Sequence, residues 1–299
     1  MEGATYERVT LTDELVGRED RPATGGNLWA DPTEERVSDP RSGVTLIDLS
    51  HPFGSHTPVF PGYKDIDIRR GARHASHGVM TQRVVAVLHV GTHVNAPIHL
   101  IPGGPDLTGL PLSLFFGSGV VLDVPKGRWE TIEPADLEAA GEVRPNDIVL
   151  INTGWHRYHS DSQRYFGEGP GLGVAAAQWL LDHGAKLVGV DTATVDHPMA
   201  TSLGYHRNGP LAKAIPRRYE EVVGSDPRED FPDWNPAHKL LLGAGVPTIE
   251  NVGGAVDEVG GRRVTIQAFP WNLHNGDACV VRLTAITDPS GDYRIGKGE

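Results

Sequence analysis

Three histidines and an amide crowd into eleven residues, His89-Val-Gly-Thr-His93-Val-Asn95-Ala-Pro97-Ile-His99. Neutral imidazole is the commonest side-chain metal ligand, and a histidine-rich set suits Zn²⁺ or another borderline divalent ion such as Mn²⁺. The chemistry that follows is activation of water and polarisation of a carbonyl. A single histidine reads as a satisfied core or surface residue. Three of them, spaced by four and six around a glycine and a proline, favour a metal site.

Two local structures bring these side chains together. On a helix, His89 and His93 share a face at i, i+4, but Gly91, Thr92 and Pro97 make a poor helix. On an extended chain, residues 89, 91, 93 and 95 lie on one face because side chains alternate. Gly91 then leaves room between the imidazoles for an ion or a close-packed backbone. Pro97 ends the strand and turns the chain, bringing His99 back toward the same point.

The elements that must hold this segment read as mixed α/β. Val44–Leu49, Gly119–Val124, Asp147–Asn152 and Lys186–Asp191 read as strands, and Arg83–His89 is a nearly continuous apolar run typical of a strand buried on both faces. Val174–His183 has helical periodicity and stops at Gly184. Pro236–Leu242 reads as a short helix, and Pro247–Asn251 as a short strand. Val264–Phe269 and Ala278–Ile286 read as a closing pair of strands. The ordered domain is expected over 44–290, with a long insertion at about 198–235 that is rich in Gly, Pro and charge. Residues 1–43 read as a polar extended arm and 291–299 as a tail.

Composition narrows the function classes. A net charge of −12 repels polyanions, so nucleic acid is not an expected partner. No apolar run is long enough for a membrane span, and Met1–Arg21 lacks the pattern of a signal peptide, so a cytoplasmic location is expected. The single cysteine, Cys279, lies in an apolar run and reads as a buried hydrophobe. Ser50 and Ser160 lack a base-and-orienter pattern, which argues against a serine hydrolase. Asp191 and Asp196 follow a buried strand and read as capping or turn residues. His156 and His159 read as a surface loop. His197, His206 and Arg207 fall in the insertion and read as solvated, outside the core site, although an arginine there could grip a substrate carboxylate in a bidentate pair.

The histidine segment resembles His-x-Gly-Thr-His-x-Asp-x-Pro-x-His, the signature of the cyclase family, which includes bacterial-type kynurenine formamidase, isatin hydrolase and related amide and lactone hydrolases. The likeness extends to Leu46-Ile-Asp-Leu-Ser50-His51, Thr57-Pro-Val-Phe-Pro-Gly62 and Thr153-Gly154-Trp155. It continues through Val188-Gly-Val-Asp191-Thr-Ala-Thr194-Val-Asp196 and a distal His238 with Glu250-Asn251. The resemblance implies a mixed β/β/α barrel-like (swivelling) single domain and a metal-dependent hydrolase that opens a small amide, lactam or lactone. It implies His89 and His93 as metal ligands, joined by Asn95 and His238. His99 and Glu250 become the groups that handle protons or further metal, and Phe60 or Tyr63 the aromatic that packs on the small-molecule substrate. A homodimer or homotetramer, with the N-terminal arm reaching a neighbour, is implied as well.

One position departs from the signature: Asn95 stands where the family has Asp. A neutral amide bridges two dications poorly, because their repulsion needs anionic ligands to offset it, so one ion is expected. A lactone hydrolase of aromatic degradation is the second reading. A His/carboxylate iron oxygenase and a non-catalytic metal-binding protein stand as other classes.

Overall fold

Ile148–Asn152 and Leu187–Val190 are buried along their whole length, the pattern of strands covered on both faces. They pair in parallel, flanked in parallel by Phe116–Asp123 and Thr248–Glu250. The computed structural model describes residues 36–38, 43–207 and 214–289. Among these, the four parallel strands form the middle of a ten-stranded mixed sheet. Its order is Arg36–Ser38, Thr45–Asp48, Thr284–Thr287, Arg263–Gln267, Phe116–Asp123, Ile148–Asn152, Leu187–Val190, Thr248–Glu250, His93–Asn95, Ala278–Val280.

One face of the sheet packs Val149, Ile151, Val188 and Val190 against Ala176, Ala177 and Leu180 of helix Val174–Asp182 and Ala237 and Leu241 of helix Pro236–Gly243. The other face joins Ile148, Leu150 and Ile249 of the middle strands to Ile47 and Ala285 from one end and Val94 and Cys279 from the other. Strands so far apart in a flat sheet could not share one core. The sheet therefore curls into the barrel-like wall that the cyclase-family resemblance implied, and Cys279 is one of its buried hydrophobes.

Three expectations are corrected. Arg83–His89 is not a buried strand: only Gln82–Val85 is extended, it pairs with Asp67–Arg70 alone, and its four residues are exposed. An apolar run reports the types of its residues, while cover depends on what packs over them. Second, the alternation across residues 89–95 breaks at Gly91, whose φ of +61° turns the chain, so the strand holds only His93–Asn95. A Cβ on Gly91 would meet Phe53 and Thr57 at ordinary contact distance, not the imidazoles; the glycine supplies a left-handed turn, not space. Third, Ala278–Ile286 is two strands that pair with different neighbours.

The 198–235 segment has structure of its own, including helices Ala214–Val223 and Pro227–Asp230. It is pinned where Tyr219 packs with Trp129 and Met199 and where the His197 ring stacks on Phe231 at 4.0 Å. Apart from Arg36–Ser38, which extends the sheet edge beside Thr45–Asp48, and Gly43, the arm expected over 1–43 lies outside the described residues, as does the 291–299 tail. No helix among the described residues is long and apolar enough to cross a membrane.

Candidate active site

The strand His93–Asn95 lies between Thr248–Glu250 and Ala278–Val280, antiparallel to both. Register sets Glu250 opposite His93, and both Thr248 and Ala278 opposite Asn95. Three short strands thus collect side chains from three distant parts of the chain.

Each imidazole is held by identifiable contacts. His93 Nδ1 donates to the Gly91 carbonyl at 2.8 Å, so in the neutral ring Nε2 presents a lone pair. That lone pair faces Glu250 Oε2 at 3.2 Å. The pair lies off the line of a hydrogen bond, and the buried Nε2 has no hydrogen-bond partner; we treat the approach as an electrostatic contact. His89 stands between two oxygens, with Nδ1 2.8 Å from Asn95 Oδ1 and Nε2 2.8 Å from Asp277 Oδ2. After Ala96, the Pro97–His99 turn folds back and sets the His99 ring 4.0 Å from that of His89 and 5.7 Å from that of His238. His238 Nε2 is 2.7 Å from Thr248 Oγ1, and its Nδ1 is 3.7 Å from Glu250 Oε1.

His238 and Glu250 are fixed from beneath. Asp196 accepts from the Ala237 and His238 backbone N–H groups at the first turn of helix Pro236–Gly243, orienting the helix that carries His238. Burial pushes the Asp196 carboxyl up to about 7. The adjacent Val195 N–H donates to Glu250 Oε1 at 2.9 Å. Burial works against ionising Glu250, but His93 and His238 when protonated, and the Val195 N–H in any state, hold its carboxyl well below the usual range. His99 is lowered to about 3 and His238 to about 4, in both cases chiefly by burial. Contact with His89 holds Asp277 at about 2. Neutral imidazoles beside ionised carboxylates are the states in which these groups bind metal.

The donor set fits a divalent cation. A lone pair and a carboxylate oxygen face each other at His93 and Glu250, as two ligands of one cation would. A neutral His89 has one N–H to serve two oxygens. His89, His99 and Asp277 each offer a ligand atom, all within 4.8 Å of one another. His89, His93, His99, His238 and Glu250 line a cavity of about 410 Å³, walled by Phe60, Tyr63, Phe166 and Trp234.

The fold brings together every site residue named from the sequence. His89, His93, His99, His238 and Glu250 line the cavity with Phe60 and Tyr63. Asn95 is fully buried beneath the floor, its oxygen turned to His89 and its nitrogen near His238 and Thr248. Asp277 was missed, because nothing local marks an acidic residue just before a closing strand. The readings of Arg207 as outside the site, of His197 as solvated when it is buried, and of His156 and His159 as a surface loop are also corrected. Arg207 is exposed, but it lines the cavity. His156 is buried and bonded through Nδ1 to Asp191, while His159 stacks on His51 with ring centroids 3.7 Å apart. Asp191, wholly buried, also accepts from Thr153 and from the His156 N–H, which is structural work.

Comparison with known proteins agrees with this architecture. The family described as "Putative cyclase" matches residues 47–197, just over half of the chain. A solved isatin hydrolase bound to the product analogue thioisatinate is 18% identical, with a TM-score of 0.66 over 82% of this chain and 93% of its own. Isatin hydrolase A from Ralstonia solanacearum is 20% identical, with a TM-score of 0.65 over 83% of this chain and 93% of its own. A potential metal-dependent hydrolase with cyclase activity is 22% identical, with a TM-score of 0.58 over 81% of this chain and 98% of its own. At these identities the three structures share a fold with this chain.

Proposed function

The chain belongs to the cyclase family, and from that premise and the geometry of the site we propose that it is a metal-dependent hydrolase opening a small cyclic or N-acyl substrate, an amide, lactam or lactone. The observation that carries the reading is the His93 lone pair set against the Glu250 carboxylate at 3.2 Å, with His89, His99 and Asp277 alongside, under an aromatic-walled cavity.

The residues that would hold the ion are His89 and His93, with the Asn95 oxygen, His238 and the Asp277 carboxylate around them. Zn²⁺ suits the imidazole-rich set and Mn²⁺ the carboxylates. When bound, such an ion lowers the pKa of a coordinated water toward 7 and polarises the substrate carbonyl. Glu250 supplies negative charge and accepts a hydrogen bond from the attacking water. His99 lines the cavity and takes the water proton. Once protonated, it delivers the proton to the departing nitrogen or oxygen. An amide nitrogen leaves poorly unless protonated, so this delivery matters more for an amide than for a lactone. Phe60 and Tyr63 hold a flat substrate above the floor, in the manner of apolar pocket walls.

The test is hydrolysis of N-formyl anilides, lactams and lactones by chelated protein and by the same protein reloaded with Zn²⁺ or Mn²⁺. Turnover that appears only on reloading supports the reading. Equal rates with and without metal, or no turnover across the panel, would sink it.

A further inference from the structure

The 198–235 segment brings a cation to the mouth of the cavity. Arg207 and Trp234 both line it. The Arg207 guanidinium lies 4.1 Å over the Trp234 ring, which also has Lys239 Nζ at 4.5 Å. Stacking of this kind gives a long side chain a preferred direction. Other arginines of the chain, among them Arg128, Arg157, Arg218 and Arg263, have carboxylate partners. Among the described residues no carboxylate forms an ion pair with Arg207. The Trp234 Nε1–H is itself buried and has no hydrogen-bond partner among the described residues.

Several polar groups of the lining are engaged with other partners. Glu250 is the carboxylate among the lining residues, and its oxygens are turned to His93, His238 and the Val195 N–H. The lining hydroxyls of Thr194 and Thr201 give their protons to the Asp196 and Pro198 carbonyls. What remains is a guanidinium stacked on an indole beside aromatic walls, on a protein whose net charge of −12 would otherwise repel an anion.

We propose that Arg207, stacked on Trp234, forms a subsite for an anionic group of the substrate, a carboxylate held away from the carbonyl that is hydrolysed. The substrate class is then a small aromatic amide, lactam or lactone that bears its own acid group. This rests on the hydrolase reading for its chemistry, but the subsite is tested by binding. The planar guanidinium fork suits a carboxylate or sulfonate in a bidentate pair, and an ammonium matches it less well.

The test is calorimetric binding to the full-length protein of benzenesulfonate, an anionic aromatic that ligates metal poorly, and of its neutral isostere methyl phenyl sulfone. The sulfonate is expected to bind the wild type more tightly than the sulfone. Arg207→Gln should weaken the sulfonate by about tenfold or more while leaving the sulfone within about twofold, and Arg207→Lys should fall between. Equal affinity for the two probes, an unaffected Arg207→Gln variant, or no sulfonate binding at millimolar concentration would each overturn the subsite. Because no arm reads turnover, failure of the hydrolase reading is seen separately, in the substrate panel. On an active substrate pair, Arg207→Gln should raise KM for the acid-bearing member and leave the neutral member unchanged.

Discussion

Asp277→Asn is the most informative single change, because it keeps the shape of the side chain and removes its charge. Asp277 Oδ2 lies 2.8 Å from His89 Nε2 and 3.8 Å from His99 Nδ1. If the carboxylate orients His89 for the ion or shares in binding it, two routes give the size of the loss. A hydrogen bond to a charged group contributes about 1.5–3 kcal/mol. Partners that orient a ligating histidine typically matter by about 10–100-fold in metal affinity, which is about 1.4–2.8 kcal/mol. The Asp277 side chain is 47% exposed, so solvent screens its charge and the lower end applies. The expectation is an affinity for Zn²⁺ or Mn²⁺ about tenfold weaker, measured by calorimetry on chelator-stripped protein, with an unchanged far-ultraviolet spectrum. An affinity within about twofold of wild type would refute the reasoning and leave the His89–Asp277 contact as surface packing.

Glu250→Gln should lower kcat by about 10²–10⁴, the usual range for a positioned proton-handling group, while a retained Val195 N–H bond keeps the fold; steady-state kinetics on any active substrate measures it. Asn95→Asp adds a carboxylate at a fully buried position beside His89 and His238, so elemental analysis should find more metal per chain than in wild type, and an unchanged content would remove Asn95 as the limit on metal number. His156 tests linkage: burial works against its charging, but the Asp191 hydrogen bond and the Asp191 and Asp257 charges outweigh it and raise its pKa. The protonated form therefore favours the folded state, with the contribution present below the unfolded value near 6.5 and lost as pH rises through the raised one. The gap in urea midpoint between wild type and His156→Gln should be wider at pH 5.5 than at pH 9, and a gap independent of pH would contradict the assignment.

Much of this protein was legible in the order of its residues, and the reason is locality. The apolar runs at Ile148–Asn152 and Leu187–Val190 are strands because their side chains allow little else, and helix Val174–Asp182 follows from its periodicity. His89, His93 and His99 meet because Gly91 and Pro97 turn a short chain back on itself. What locality could not supply is cover and pairing. The run Arg83–His89 looks like core in composition, yet the strand it begins in, Gln82–Val85, is exposed. His156 looks like a loop residue and is buried, since Asp191, 35 residues away, holds it. Asp277 meets His89 across 188 residues because Ala278–Val280 pairs with His93–Asn95 in one register, and Glu250 meets His93 for the same reason on the other side. Arg207 lines the cavity with Trp234, 27 positions away in the same segment. Residue types determined which groups were available for chemistry; strand register and packing decided which of them stand within reach of one another.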